Sequence, residues 1–140
     1  MNDPRWLSWF SGLVDGEGCF LIGRVQVPYY EVKFVINMRA DDRPMLEEIK
    51  NTLGFGRLAY RQRGKIGHPT VAFEVSKATD LLKLVRLFDE YPLRSRKRRD
   101  YEVWRVAVLL RQTRKNARDV HVEELLRELR TTREFRLEVS

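Results

Sequence analysis

The chain has 140 residues, 27 Lys and Arg against 20 Asp and Glu, a net charge of +7 and one cysteine. A single domain over residues 1–140 can bury roughly two-thirds of its unfolded surface, without disulfides or a structural metal. Cys19 alone cannot form an internal disulfide, which predicts a reducing compartment (a bacterial or archaeal cytoplasm, or an organelle matrix). The longest aliphatic run, Val106 to Leu110, is far short of the roughly 20 residues that span a bilayer, and a start carrying Asp3 and Arg5 does not read as a signal peptide. Of the basic residues 20 are Arg and 7 are Lys. The planar Arg fork suits phosphate oxygens and guanine edges, so nucleic acid is the leading partner.

Asp3 as N-cap and Pro4 at the first helical position open a helix running to about Val14, which glycines then end. Cys19 to Val27 alternates as a strand, with Phe20, Ile22, Arg24 and Gln26 on one face. Pro28 turns the chain into a second strand, Tyr30 to Arg39, whose Val32, Phe34, Ile36 and Met38 oppose Glu31, Lys33, Val35, Asn37 and Arg39. Asp42 caps a helix through Met45, Leu46, Ile49 and Leu53 that stops at Gly54. A second hairpin places Arg57, Ala59, Arg61 and Arg63 opposite Leu58 and Tyr60, loops through Gly64 and Gly67, and returns with Val71, Phe73 and Val75. Lys77 to about Glu90 is helical, Pro92 ends it, and further helices span Ser95 to about Arg114 and Val120 to about Arg130. The first of these carries Tyr101, Trp104, Val108 and one of Leu109 and Leu110 inward.

The order αββαββα plus a helical tail predicts an α+β fold with a four-stranded antiparallel sheet. Helices should cover the face bearing Val25, Phe34, Leu58 and Phe73. The other face should present Arg24, Gln26, Lys33, Asn37, Arg39, Arg57, Arg61 and Arg63 to solvent. A β-ribbon fits the DNA major groove, and long polar side chains along it reach base edges.

At 100° per residue, Trp6, Leu7, Trp9, Phe10, Leu13 and Val14 take one half of the first helix, and Ser8, Ser11, Gly12, Asp15 and Gly16 take the other. A glycine inside a helix costs about 1 kcal/mol relative to alanine, so Gly12 and Gly16 need a reason. Small residues four apart let two helix backbones approach closely, which predicts a homodimer packed through this face about a two-fold axis. The acids Asp15 and Glu17 at the helix end would then be duplicated near the dyad. Their hard oxygens suit Mg²⁺ and metal-assisted phosphodiester hydrolysis.

Residues Phe10 to Gly18, followed by the aromatic Phe20, resemble the nine-residue signature of the LAGLIDADG homing endonucleases, and the element order over about 120 residues is similar to that family's fold. One copy of the signature resembles the single-motif members, which act as homodimers on nearly palindromic DNA. The resemblance implies a site-specific, Mg²⁺-dependent double-strand DNA endonuclease, of the kind encoded in introns, that leaves short 3′ overhangs. It makes Glu17 the metal-binding carboxylate and the Gly16 carbonyl a further ligand, with Asp15 mainly at the helix interface. The family places a basic residue near each metal site, often after Tyr-Pro-Leu. Here Tyr91, Pro92 and Leu93 lead to Lys97 as first choice and Arg96 as second, with Arg94, Arg98 and Arg99 anchoring phosphates. Some members carry a polar residue, often Gln, after the second strand to position water, where this chain has Met38 between Asn37 and Arg39. Loss of cleavage would leave a DNA- or RNA-binding maturase or transcriptional regulator of the same fold. An unrelated nuclease site built from Asp15, Glu31 and Lys33 is the competing enzyme reading.

Overall fold

A computed structural model describes residues 3–26, 29–62, 64–65, 67–113 and 127. The first helix, α1 (Pro4–Glu17), starts where predicted: Asp3 Oδ1 accepts the Arg5 N–H at 2.9 Å, with proline in the first turn. It runs three residues past Val14, so Asp15, Gly16 and Glu17 form its last turn, not a separate glycine turn. The cost of Gly16 in a helix, about 1 kcal/mol, is small beside the burial of Leu7, Phe10 and Val14 on the same helix.

The strands β1 (Gly18–Gln26) and β2 (Tyr29–Arg39) form the first hairpin. A short 3₁₀ turn, Ala40–Asp42, leads into α2 (Arg43–Leu53), which buries Leu46, Ile49 and Leu53. It ends at Gly54, whose φ of 82° is the left-handed cap that glycine adopts without strain. Asp42 occupies the cap position of α2 without a capping hydrogen bond from its side chain. Next come β3 (Arg57–Arg61), β4 (Thr70–Val75), α3 (Ala78–Glu90) and α4 (Lys97–Thr113). The predicted helix from Val120 to Arg130 lies outside the described residues, apart from helical Arg127.

All strand pairs are antiparallel in the order β1-β2-β4-β3, so the two hairpins join through β2 and β4. The core lies between one sheet face and the helices. Phe20, Phe34 and Phe73 from the strands meet Phe10 of α1, Phe88 of α3, and Tyr101 and Trp104 of α4. Trp104 is fully buried, and its indole N–H finds the Lys33 carbonyl at 3.0 Å, the kind of partner a buried indole requires. Leu110 packs inward and Leu109 is exposed, which settles the choice between them. Among the described residues no helix is long and apolar enough to cross a membrane.

Two sequence expectations change. Trp9 is 40% exposed instead of joining the apolar half of α1, because at seven residues from Gly16 it flanks the glycine face. Arg24 does not belong with the open-face set: it pairs with Tyr30, in phase with the core pairs Phe20–Phe34 and Ile22–Val32. A register shift between Arg24 and Gln26 then puts Gln26 opposite Tyr29, in phase with Glu31 and Lys33. The side chains of Arg24, Val25 and Gln26, and the whole of Arg63, lie outside the described residues.

Candidate active site and nucleic-acid interface

The last four carbonyls of an α-helix lack intrahelical donors and sit at its partially negative end. At the end of α1 the Gly18 N–H takes the Val14 carbonyl, and the last turn has no basic residue of its own. Gly18 is required sterically, since a Cβ there would stand 2.9 Å from the Val14 carbonyl oxygen. The remaining donors come from the segment after α3. Ser95 Oγ donates to the Asp15 carbonyl at 3.0 Å, and Lys97 Nζ donates to the Gly16 carbonyl at 2.9 Å. Glu17, the final helical residue, is exposed beside them.

Asp15 builds this arrangement. Its carboxylate accepts the Arg94 N–H at 2.9 and 3.1 Å and the Ser95 N–H at 2.8 Å. Ser11, only 5% exposed, donates from Oγ to the Tyr91 carbonyl at 2.9 Å. With Leu93 buried beneath, these bonds fix the turn that delivers Lys97 to the helix end. Arg96 is exposed, so the basic residue that reaches α1 is Lys97. Arg94, Arg98 and Arg99 are exposed around the same turn, with Arg98 3.4 Å from Glu102.

On the glycine side of α1, Ser8, Gly12 and Gly16 are exposed, and a Cβ added at either glycine would meet nothing within 4 Å. Ser11 and Asp15, predicted to share that face, turn toward the Tyr91–Ser95 segment inside the protomer. An open cleft of about 480 Å³ lies between the two, bordered by Ser8, Gly12, Asp15, Tyr91, Arg94 and Arg98.

The open sheet face carries Lys33, Asn37 and Arg39 from β2 and Arg57 and Arg61 from β3. It also carries a residue the sequence reading missed. Glu74 of β4 is 5% exposed on this face and accepts Arg57 Nε at 3.0 Å and Nη2 at 2.8 Å, with Lys33 Nζ at 4.0 Å. Its position opposite Arg57 is the signal that could have revealed it, once the hairpin register is known. Met38 packs against the core, while Asn37 and Arg39 are exposed. Glu31 pairs with Lys33 at 3.6 Å on the open face, away from the helix layer that holds Asp15, so the Asp15–Glu31–Lys33 site is not assembled.

Several known proteins share this architecture. The meganuclease I-AabMI bound to uncleaved DNA superposes with a TM-score of 0.67 at 33% identity, covering 76% of this chain and 36% of that one. I-GzeII in complex with its DNA target gives 0.76 at 23% identity, over 92% and 44%. The homing endonuclease I-TnaI gives 0.67 at 25% identity, over 90% and 84%. An uncharacterized 50.9 kDa protein in ND4 intron 1 of Podospora anserina is 34% identical over 111 residues, 73% of this chain and 24% of that protein. The probable intron-encoded endonuclease Cox1-I1b of Schizosaccharomyces pombe is 28% identical over 106 residues, 73% and 27%. The chain thus spans about a quarter of the length of these curated relatives. The LAGLIDADG endonuclease family model matches residues 10–108, from the middle of α1 through most of α4, and the chain belongs to that family.

Proposed function

We propose that this chain is a site-specific, Mg²⁺-dependent double-strand DNA endonuclease of the homing type, acting as a homodimer on a nearly palindromic site. The observation that carries the reading is the Lys97 Nζ bond to the Gly16 carbonyl at the negative end of α1, one residue before the exposed Glu17. The donor set fits a hard divalent cation. The Gly16 carbonyl already accepts a cationic group, and Glu17 adds an exposed carboxylate. Mg²⁺ commonly takes one or two carboxylates and completes its shell with waters and substrate phosphate oxygens. Glu17 and Gly16 would hold the ion, which when bound supplies positive charge at the scissile phosphate and acidifies water.

The other roles fall to the chain itself. Lys97, held at the helix end by the Gly16 carbonyl, brings an ammonium to the phosphate and offsets its charge. Asp15 is a positioning residue that fixes the Lys97 turn through the Arg94 and Ser95 N–H groups. Arg94, Arg98 and Arg99, with Arg96, grip flanking phosphates, which makes binding steeply salt-dependent. Lys33, Asn37, Arg39, Arg57 and Arg61 of the open sheet face, together with Gln26 and Arg63, read bases in the major groove.

The homodimer rests on Gly12 and Gly16. Neither glycine is crowded inside the protomer, so a close partner is the reason for tolerating them in a helix. A non-cleaving DNA- or RNA-binding protein is the second reading, favoured by Met38 packing into the core where a polar side chain would be expected to order water. Incubating the purified chain with randomised duplex DNA separates them. Mg²⁺-dependent cuts in a defined sequence subset, abolished by EDTA, support the endonuclease; binding without cuts supports the alternative.

A further inference from the structure

A face that approaches a polyanion gains nothing from an acid, yet Glu74 sits at the centre of the open sheet and is 5% exposed. A carboxylate buried this far must be paired, and Arg57 supplies the pairing from the directly opposite position on β3. Arg57 Nε and Nη2 both donate to Glu74 Oε2, at 3.0 and 2.8 Å, while the Arg57 side chain stays 72% exposed. Among the described residues, two of its five N–H donors are used. The Nη1 group and the second Nη2 N–H project away from Glu74, and this end of the fork matches guanine O6 and N7. Lys33 Nζ, 4.0 Å from the same Oε2, backs the carboxylate from β2 and also pairs with Glu31 at 3.6 Å. Arg39 differs: its partner Asp41 is 81% exposed and 3.4 Å away, which leaves its guanidinium free to reorient in solvent.

We propose that Glu74 is a specificity-determining positioning residue that holds Arg57 with its outer fork presented to the DNA, so that Arg57 reads a guanine instead of gripping a phosphate. The proposal rests on the sheet being the DNA-reading surface. A carboxylate bonded to one edge of the guanidinium removes most rotamers the free side chain would sample, so little orientational freedom is lost when a base is met.

The test is selection of bound sequences from a pool of randomised duplexes in EDTA, which keeps metal-dependent cleavage off, with base preference read position by position. The unmodified chain is expected to prefer guanine at one position, or at two related by symmetry. Glu74→Gln should lower that preference at least about tenfold, the scale of one lost bidentate contact. Other positions should keep theirs, and affinity for duplexes that lack the preferred guanine should not fall, since a negative charge leaves the face. Arg57→Ala should erase preference at the same position, and the double variant should do no more. Should Glu74→Gln unfold, Glu74→Asp, which keeps the charge but draws it back by one methylene, should weaken that position alone. Loss of preference at all positions together, or at a position that Glu74 variants leave intact, overturns the proposal. So does an Arg57→Ala variant that binds every sequence more weakly with a salt slope lower by about one, the mark of a phosphate contact. If the unmodified chain binds no duplex at all, the DNA-reading assignment itself fails.

Discussion

Gly12→Ala separates a helix that stands alone from one that packs against a copy of itself. Within the protomer the new methyl meets nothing within 4 Å, so α1 of an isolated chain should only gain. The gain is about 1 kcal/mol from helix propensity, or roughly 4 °C in Tm for a domain of this size. In a dimer joined through Gly12 and Gly16 the same methyl appears twice near the dyad, where the backbones approach most closely. Overpacking costs about 1–3 kcal/mol per site, so two sites cost at least about 2 kcal/mol, or about 30-fold in dimer Kd. Sedimentation equilibrium across a dilution series, paired with thermal unfolding, reads both quantities. The expected outcome is a weakened dimer whose dissociated chains melt higher than those of the parent. A Gly12→Ala protein that dimerises as tightly as the parent, or a parent that is monomeric when bound to DNA, would refute the helix-packing argument.

Asp15→Ala should cost about 1–2 kcal/mol, because the Arg94 and Ser95 N–H groups lose a charged acceptor. Cleavage should fall further than stability does, since Lys97 loses the turn that places it; equal losses in a melt and a cleavage assay would count against the positioning role. At the α3–α4 contact, hydrogen bonding from Arg105 holds the Asp89 carboxyl below its usual range, burial opposes this, and the Tyr101 hydroxyl at 2.7 Å adds to the lowering. Because the folded pKa is depressed, this contribution is present above the ordinary carboxylate pKa of about 4 and disappears as pH falls through the folded value. Asp89→Asn should therefore cost up to about 1 kcal/mol at pH 7 and almost nothing near pH 2, and a pH-independent difference in denaturant melts would exclude this linkage.

The alternation of β2 and β4 made the core side legible in the sequence, because a one-residue slip would have turned Phe34 and Phe73 outward. The Asp3 cap located the start of α1 and Gly54 the end of α2, whereas glycine did not mark the end of α1, which continues through Gly16 to Glu17. The sequence did not reveal the shift between Arg24 and Gln26, since a bulge changes strand phase without changing composition. Glu74 escaped because its significance depends on the β3–β4 register, which the loop of residues 62–69 does not specify by length alone. At the site, the motif pointed to Glu17 and Gly16 and the Tyr-Pro-Leu segment to Lys97, but the bonds by which Asp15 holds the Arg94–Ser95 turn join residues about 80 apart in the chain, which no local pattern shows. Trp9 was misplaced because a wheel gives the angle of a side chain and not the width of the buried arc.

One comparison tests most directly whether Glu17 supplies the carboxylate for metal-dependent DNA cleavage. The unmodified chain and Glu17→Gln would be assayed on the same selected duplex, with binding measured in EDTA and strand cleavage in Mg²⁺. The amide variant should bind within a few-fold of the parent and retain its sequence preference, while cleavage of both strands falls by at least about a thousandfold, as expected when a metal-holding group is lost. Cleavage by Glu17→Gln at a rate close to the parent's would contradict it.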